Sequence, residues 1–326
     1  MTDQPNFLLR NFQPGDIPAL VSIWNRSFPD TPTTVEQEEF WEKSYPADNP
    51  RLRFVVETTG GAVVGQGSCM FPFWMQNSMG VYSIYAVVDP TWRGRGIGRA
   101  LFARLEPYAW QQGAQRLWTD CREDHADAIR FLEAGGYRQY GVRFEQALDL
   151  TAFDPEPYSD VLARVPDEGY TLTTYAAERE TRPDAERALY ELNRTTLLDV
   201  PFPGDAVIEE PYELWRKNLE SPTSDPAFIF LAKHGDELVG LSEIDLPKDG
   251  PAQTNMTGVL RDHRGKGIAL ALKVTSLKAL QARGYTETRT QNDTLNPAIL
   301  HLNEKLGYRR LPGWLQYERY APPQAE

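Results

Sequence analysis

Cysteine is nearly absent from this chain: there are two, Cys69 and Cys121, with four histidines in 326 residues. No CxxC or HxxxH spacing occurs, so no metal is expected. Neither cysteine has a nucleophile's sequence context, and both read as semi-buried thiols of a reducing cytoplasm. Long apolar runs are missing too. The most apolar stretch, Val81 to Val88, is broken by Ser83 and has strand length, far short of the ~20 residues a bilayer-spanning helix needs. The opening MTDQPNFLLR has an early acid and no apolar segment, so neither a signal peptide nor a membrane location is expected. Positive charge is short as well: 34 basic against 46 acidic residues, net −12. That balance disfavours nucleic acid as a partner and suits a neutral or cationic small acceptor.

What is present is a repeat. Arg93-Gly94-Arg95-Gly96-Ile97-Gly98 recurs 171 residues later as Arg264-Gly265-Lys266-Gly267-Ile268-Ala269. Gly136-Tyr137-Arg138 recurs at the same offset as Gly307-Tyr308-Arg309, and the register holds at Ala100/Ala271, Leu101/Leu272 and Glu133/Glu304. A constant register over this length marks two copies of one unit. The expected domains are 1–150 and 168–326, joined over 151–167 by a semi-extended linker in which Pro155, Pro157 and Pro166 break periodicity. In each copy an opening strand, helices and a ladder of strand-like runs precede the glycine turn, followed by helix, strand, helix and final strands. The fold class is therefore α/β (α+β) with a mixed sheet and helices on both faces. Nothing in the sequence sets an oligomeric state.

The glycine turn carries the chemistry. Pro90 ends the strand, the glycines let backbone come close to a ligand, and Ile97, Leu101 and Leu105 begin a helix. Free amides at a helix start, flanked by arginines, form a pyrophosphate site, although such a turn is often only a connection. A dinucleotide fingerprint fails because the turn lies deep in each copy, behind an antiparallel ladder. A nucleotide P-loop fails because neither copy ends in Gly-Lys-Ser/Thr.

Arg93-x-x-Gly96-x-Gly98 and Arg264-x-x-Gly267-x-Ala269 resemble the [Q/R]-x-x-G-x-[G/A] acetyl-CoA signature of the GNAT acetyltransferases. The segment from Thr290 to Tyr308, with Leu306-Gly307-Tyr308, resembles the family's following strand and helix; Ala128 to Tyr137 is a looser match. The chain is thus similar to a tandem GNAT N-acetyltransferase over nearly its whole length. The resemblance implies acetyl-CoA as cofactor and a small-molecule amine as acceptor. Pantetheine would add along Ala86, Val87 and Val88 and along Thr257, Gly258 and Val259. Pyrophosphate would rest on the amides of Arg93, Gly94, Arg95, Gly96, Ile97, Gly98 and Arg99, and of Arg264, Gly265, Lys266, Gly267, Ile268, Ala269 and Leu270. Asn292 and Asn296 are expected to touch the cofactor, Asn296 at a matching family position that is His125 in the first copy.

The family's usual catalytic groups are missing. Many relatives carry a glutamate on the fourth strand, where this chain has Tyr82-Ser-Ile-Tyr85 and Gln253-Thr-Asn-Met256. A tyrosine on the last helix is replaced by Leu132 and Asn303. Amine attack on a thioester still needs a base, because an ammonium of pKa ~10 is protonated at neutral pH. Glu243 and Asp245 on the second copy's third strand share a face by alternation, expected with Val239 and Leu241. A carboxylate there can have a raised pKa and act as base, and a solvated strand face is the plainer alternative. Asn292 and Asn303 set the second copy apart from Cys121 and Leu132 in the first, and Asn303 could bond near the leaving sulfur. Trp24, Phe28, Trp41 and Trp74 could line an acceptor pocket or be core. The expected enzyme is an N-acetyltransferase with its chemistry in the second half; the alternative is a degenerate acyl-CoA-binding or sensing protein.

Overall fold

The computed structural model describes residues 6–72, 80–200, 210–294 and 296–322. In chain order the first elements are β1 (Phe7–Asn11), α1 (Ile17–Ser27), α2 (Val35–Ser44), β2 (Arg51–Thr58), β3 (Val63–Met70), β4 (Val81–Val88) and α3 (Ile97–Gln111). Then come β5 (Arg116–Arg122), α4 (Ala126–Ala134), β6 (Arg138–Asp149), α5 (Ser159–Asp167), β7 (Tyr170–Thr174), α6 (Tyr175–Thr181) and α7 (Ala185–Leu197). The last are α8 (Tyr212–Asn218), β8 (Ser224–His234), β9 (Glu237–Asp245), β10 (Ala252–Val259), α9 (Ile268–Arg283), β11 (Glu287–Asp293), α10 (Pro297–Lys305), β12 (Arg309–Arg310) and β13 (Trp314–Tyr320).

The chain forms two compact units. One runs to Gly141 and resumes at Trp314; the other is Val142–Gly313. In the first, β1, β2, β3 and β4 form an antiparallel ladder, β4 pairs in parallel with β5, and β13 closes antiparallel on β5 from Trp314↔Arg122 to Tyr320↔Arg116. In the second, β7, β8, β9 and β10 form the ladder, β10 pairs in parallel with β11, and β6 lies antiparallel to β11 from Asp149↔Glu287 to Arg143↔Asp293.

The strand expected to end the first domain, 144–150, therefore completes the second unit, and the chain's last strand completes the first. The repeat could not show this, because each copy supplies one such strand and the two have the same character. The core follows the layers. Leu101 and Leu105 of α3 are fully buried against one face of the first sheet, and Leu20 and Ile23 of α1 against the other. In the second unit Leu272 and Leu277 of α9 serve one face, and Leu189 and Trp215 of α7 and α8 the opposite one.

The expected semi-extended linker is also corrected: 159–167 is α5. Pro155 and Pro157 sit in the turn that leads in, where a missing amide costs nothing, and Pro166 falls at the last turn. Val161 and Val165, four residues apart, are both buried and join the cluster under α9.

Candidate active site

Each unit opens a fork between its fourth and fifth strands. β4 and β5 pair only over Val81–Ser83 with Arg116–Trp118, and β10 and β11 only over Ala252–Thr254 with Thr288–Thr290. Past those points Ala86–Val88 and Thr257–Val259 keep their partners on β3 and β9, while among the described residues no pairing to the fifth strand is present. The two fourth strands differ at the fork. β4 meets β3 in unbroken register, but β10 is interrupted: Thr254 faces Ile244 and Met256 faces Glu243, so Asn255 is the extra residue of a bulge.

Both glycine turns are built as the sequence implies. Gly94 and Gly96 have φ of +76° and +81°, Gly265 and Gly267 of +77° and +83°, a region that glycine enters without penalty. Among the described residues no backbone bond ties down the amides of Gly94, Arg95 or Gly96, or of Gly265, Lys266 or Gly267. The first-turn amides of α3 and α9 have no partner within their helices. Arg93 Nε donates to the Val88 carbonyl at 3.2 Å and Arg264 Nε to the Val259 carbonyl at 2.9 Å, so each arginine clips its turn to its strand. These residues fit a pyrophosphate.

Their surroundings differ. A Cβ placed on Gly94 or Gly96 would meet nothing within 4 Å. One on Gly267 would lie 2.7 Å from Val161 Cγ2 and 2.9 Å from Arg164 Nη2, because α5 packs there. Lys266 Nζ donates to the Tyr170 hydroxyl at 2.8 Å, and Asp199 pairs with both Arg261 and Arg264. In the first unit burial and then the Arg93 charge lower the pKa of His125, which precedes α4.

Of the catalytic candidates, Glu243 lies where the fourth strand is interrupted. It is half-buried, and burial, followed by the charges of Asp245 and Glu210, pushes its carboxyl up to about 7. Asp245 is also raised by burial, opposed by bonds from Asn255 and Thr223. The expected alternation fails at Val239. Leu241 packs with Tyr190 and Trp215, but Val239 joins the cluster under α9. The cause is a register shift: Ala232 pairs with Gly240 and Lys233 with Leu238, which leaves Val239 as the extra residue.

Asn303 is fully buried, and its Nδ2 donates to Gln146 Oε1 at 2.8 Å, an acceptor shared with Asn292 Nδ2 at 2.9 Å. Asn296 caps α10, its Oδ1 accepting from the Ile299 amide at 3.4 Å. Trp24 and Phe28 pack with Trp314, ring centroids 4.6 Å apart for the first pair and 5.2 Å for Phe28 with Trp314. They belong to the core under α1, Trp41 is exposed, and Trp74 lies outside the described residues. Sequence reasoning passed over Glu38 of α2, a half-buried carboxyl raised by burial that accepts from the Thr33 hydroxyl at 3.2 Å. A carboxylate on a polar helix reads as a solvated face, so no signal marked it.

No helix among the described residues is long and apolar enough to cross a membrane. The model of the acetyltransferase (GNAT) family matches residues 17–137 and 187–308. The chain is similar to the mycothiol acetyltransferase of Thermobispora bispora, 29% identical over 72% of this chain and 74% of that protein. It is equally similar to that of Geodermatophilus obscurus, 29% identical over 69% of each. Among solved structures, a tandem GNAT protein from the clavulanic acid biosynthesis pathway matches with TM-score 0.72 and 19% identity, covering 98% of this chain and all 100% of that one. A GCN5-related N-acetyltransferase from Sphaerobacter thermophilus matches with TM-score 0.68 and 22% identity, covering 99% and 98%. At these identities the two structures attest the fold.

Proposed function

Since this chain belongs to the acetyltransferase (GNAT) family and is an N-acetyltransferase, we propose that it acetylates a primary amine of a small molecule from acetyl-CoA, with its chemistry in the second half. The observation that carries this reading is the position of Glu243. It faces the bulge of β10 beside the fork, half-buried, with a carboxyl near 7. A base of that strength is ionised to a useful fraction at neutral pH and takes a proton from an attacking ammonium more readily than an ordinary carboxylate does. Glu210 and Asp245 add negative charge at the same place, which favours a cationic amine over a neutral acceptor.

The donor supplies an activated acyl carbonyl when bound. The chain's own part is to hold and orient it. The amides of residues 264–270 would hold its diphosphate, with Arg264 bracing the turn through Val259 and Asp199, and the free edge of Thr257–Val259 would lie along its pantetheine arm. The bulge at Asn255 frees backbone that regular pairing would occupy, and an amide there would meet negative charge on the acyl oxygen. In the first half Ser68 stands opposite Tyr85, in the register that Glu243 has opposite Met256. The first half therefore lacks this carboxylate and holds the donor through residues 86–88 and 93–99 without turning it over.

The test is release of free thiol from acetyl-CoA with a panel of amines, among them the acceptor for which the mycothiol acetyltransferase relatives are named. Amine-dependent release is expected. Saturable CoA binding with no release for any amine would favour the acyl-CoA-binding reading.

A further inference from the structure

Two buried positions that are apolar in the first half are polar in the second. In the first unit Phe102 and Leu132 are apolar and buried, Phe102 packs on Phe131 at 5.1 Å, and Tyr137 donates its hydroxyl to Glu106 at 2.8 Å. At the repeat offset the second unit has Lys273, Asn303 and Tyr308, and Leu277 in place of Glu106. Lys273 is 1% exposed and Asn303 0%. Neither Lys273 Nζ nor Asn303 Oδ1 has a hydrogen-bond partner among the described residues. Lys273 Nζ stands 5.0 Å from the centre of the Tyr308 ring. Burying such groups without partners costs stability that Phe102 and Leu132 do not cost, so packing does not account for them.

The place of Lys273 can be bracketed. Gly240, paired with Val259 of β10, lies under Ile268 and Leu272 of α9. The Tyr308 hydroxyl lies by Thr254 and Thr288, at the closed end of the β10–β11 fork. Lys273 follows Leu272 and faces the Tyr308 ring, so it is bracketed between the part of α9 that covers Gly240 and the tyrosine whose hydroxyl reaches the closed end of the fork.

We propose that Lys273 holds the proton taken up by the sulfur that departs from the acyl group in the second half. This rests on the reading above that the second half is the reacting one. As the carbon–nitrogen bond forms and the carbon–sulfur bond breaks, the amine's proton goes to the Glu243 carboxylate and the thiolate sulfur takes one from the Lys273 ammonium. Glu243 then releases its proton to water and Lys273 regains one from water; nothing is oxidised or reduced. Burial pulls the Lys273 amine down to about 7, which makes its ammonium a stronger acid than a thiol of pKa ~8.5. Lys273 thus takes over the task of the family's absent tyrosine. Among the described residues the titratable group facing it is Tyr308, held neutral by burial, which pushes its hydroxyl up to about 12; Asn303 of α10 is uncharged.

The variant is Lys273→Met in the full chain, with Lys273→Leu as a second should the first not fold. Three results are expected. The Lys273 ε-carbon resonance of the wild type, assigned by its loss in the variant, titrates near pH 7 without any ligand. Because that pKa is depressed, stability falls as pH drops from about 10 to 7 and is level below 7, so Lys273→Met melts higher than wild type at pH 6 and the gap closes between pH 7 and 10. With saturating amine, kcat falls about 10²-fold or more while the Kd for CoA stays within twofold. An ε-carbon titrating near 10, or kcat kept within twofold, overturns the proposal. If Glu243→Gln is inactive and Lys273→Met is not, this proposal fails and the functional reading stands. If the wild type releases no thiol with any amine, both fail.

Discussion

Replacing Glu243 by Gln should make the protein more stable and less active, with both effects set by one carboxyl. In the unfolded chain this group ionises at its ordinary 4.5, and in the fold at about 7. At ~1.4 kcal/mol per pH unit, that difference costs about 3 kcal/mol of folding stability once the group is ionised. Water reaching the half-buried side chain reduces the expected cost to about 1–3 kcal/mol. Glutamine avoids it. Below pH 4.5 the carboxyl is neutral in both states, so Glu243→Gln and wild type should match. The gap opens as the unfolded chain ionises between pH 4.5 and 7 and is constant above 7. Urea unfolding of both proteins at intervals from pH 4 to 9 measures this directly. The same variant should lower kcat by about 10²–10⁴-fold, remove the limb near pH 7 from the kcat profile, and leave CoA affinity nearly unchanged. A stability gap that stays flat from pH 4 to 9, or an undiminished kcat, would refute the argument that this carboxyl is buried, raised and reactive.

The glycine turns should respond unequally to a methyl group. Gly96→Ala is expected to cost about 1–2 kcal/mol of backbone strain, and Gly267→Ala about 1–3 kcal/mol more, because its Cβ would meet Val161 and Arg164; denaturant melts of the two variants decide. Burial pushes the Cys69 and Cys121 thiols up to about 12, so a thiol reagent at pH 8 should count none in the native protein and two after denaturation. Tyr317 of β13 is 1% exposed in the first unit's core, and Tyr317→Ala should remove about 3–5 kcal/mol, read by hydrogen exchange as loss of protection in β4 and β5 and not in β9 or β10.

Much of this was legible because it follows from local chemistry. A proline-ended strand, glycines and an apolar helix start specify the turn wherever they occur, and the constant offset of 171 fixed that it occurs twice. Alternation placed Glu243 on β9, but the feature that singles it out, the bulge at Asn255, is a relation between strands and leaves no mark in either one. Asn303 looked like a group near a leaving sulfur. Its amide turned out to bond Gln146, a residue that sequence order assigned to the other half. The prolines around α5 read as an extended linker, because helix ends and linkers use the same residue there. Lys273 was invisible for a simpler reason: a lysine in a helix is expected to face water, and this one sits in a helix buried on more than one side.

The exchange of final strands bears on how the protein is made. β5 waits for β13, and about 190 residues separate them, whereas β6 is already synthesised when its partner β11 appears. A ribosome adding ~5–20 residues per second leaves the first unit's sheet with an open edge for roughly ten to forty seconds. Over that interval the edge of β5 presents unpaired backbone to any strand that can reach it. The first unit to be translated is thus the last to be finished. Slowing translation within codons 150–310 should therefore increase chaperone capture of the nascent first half and leave the second unaffected.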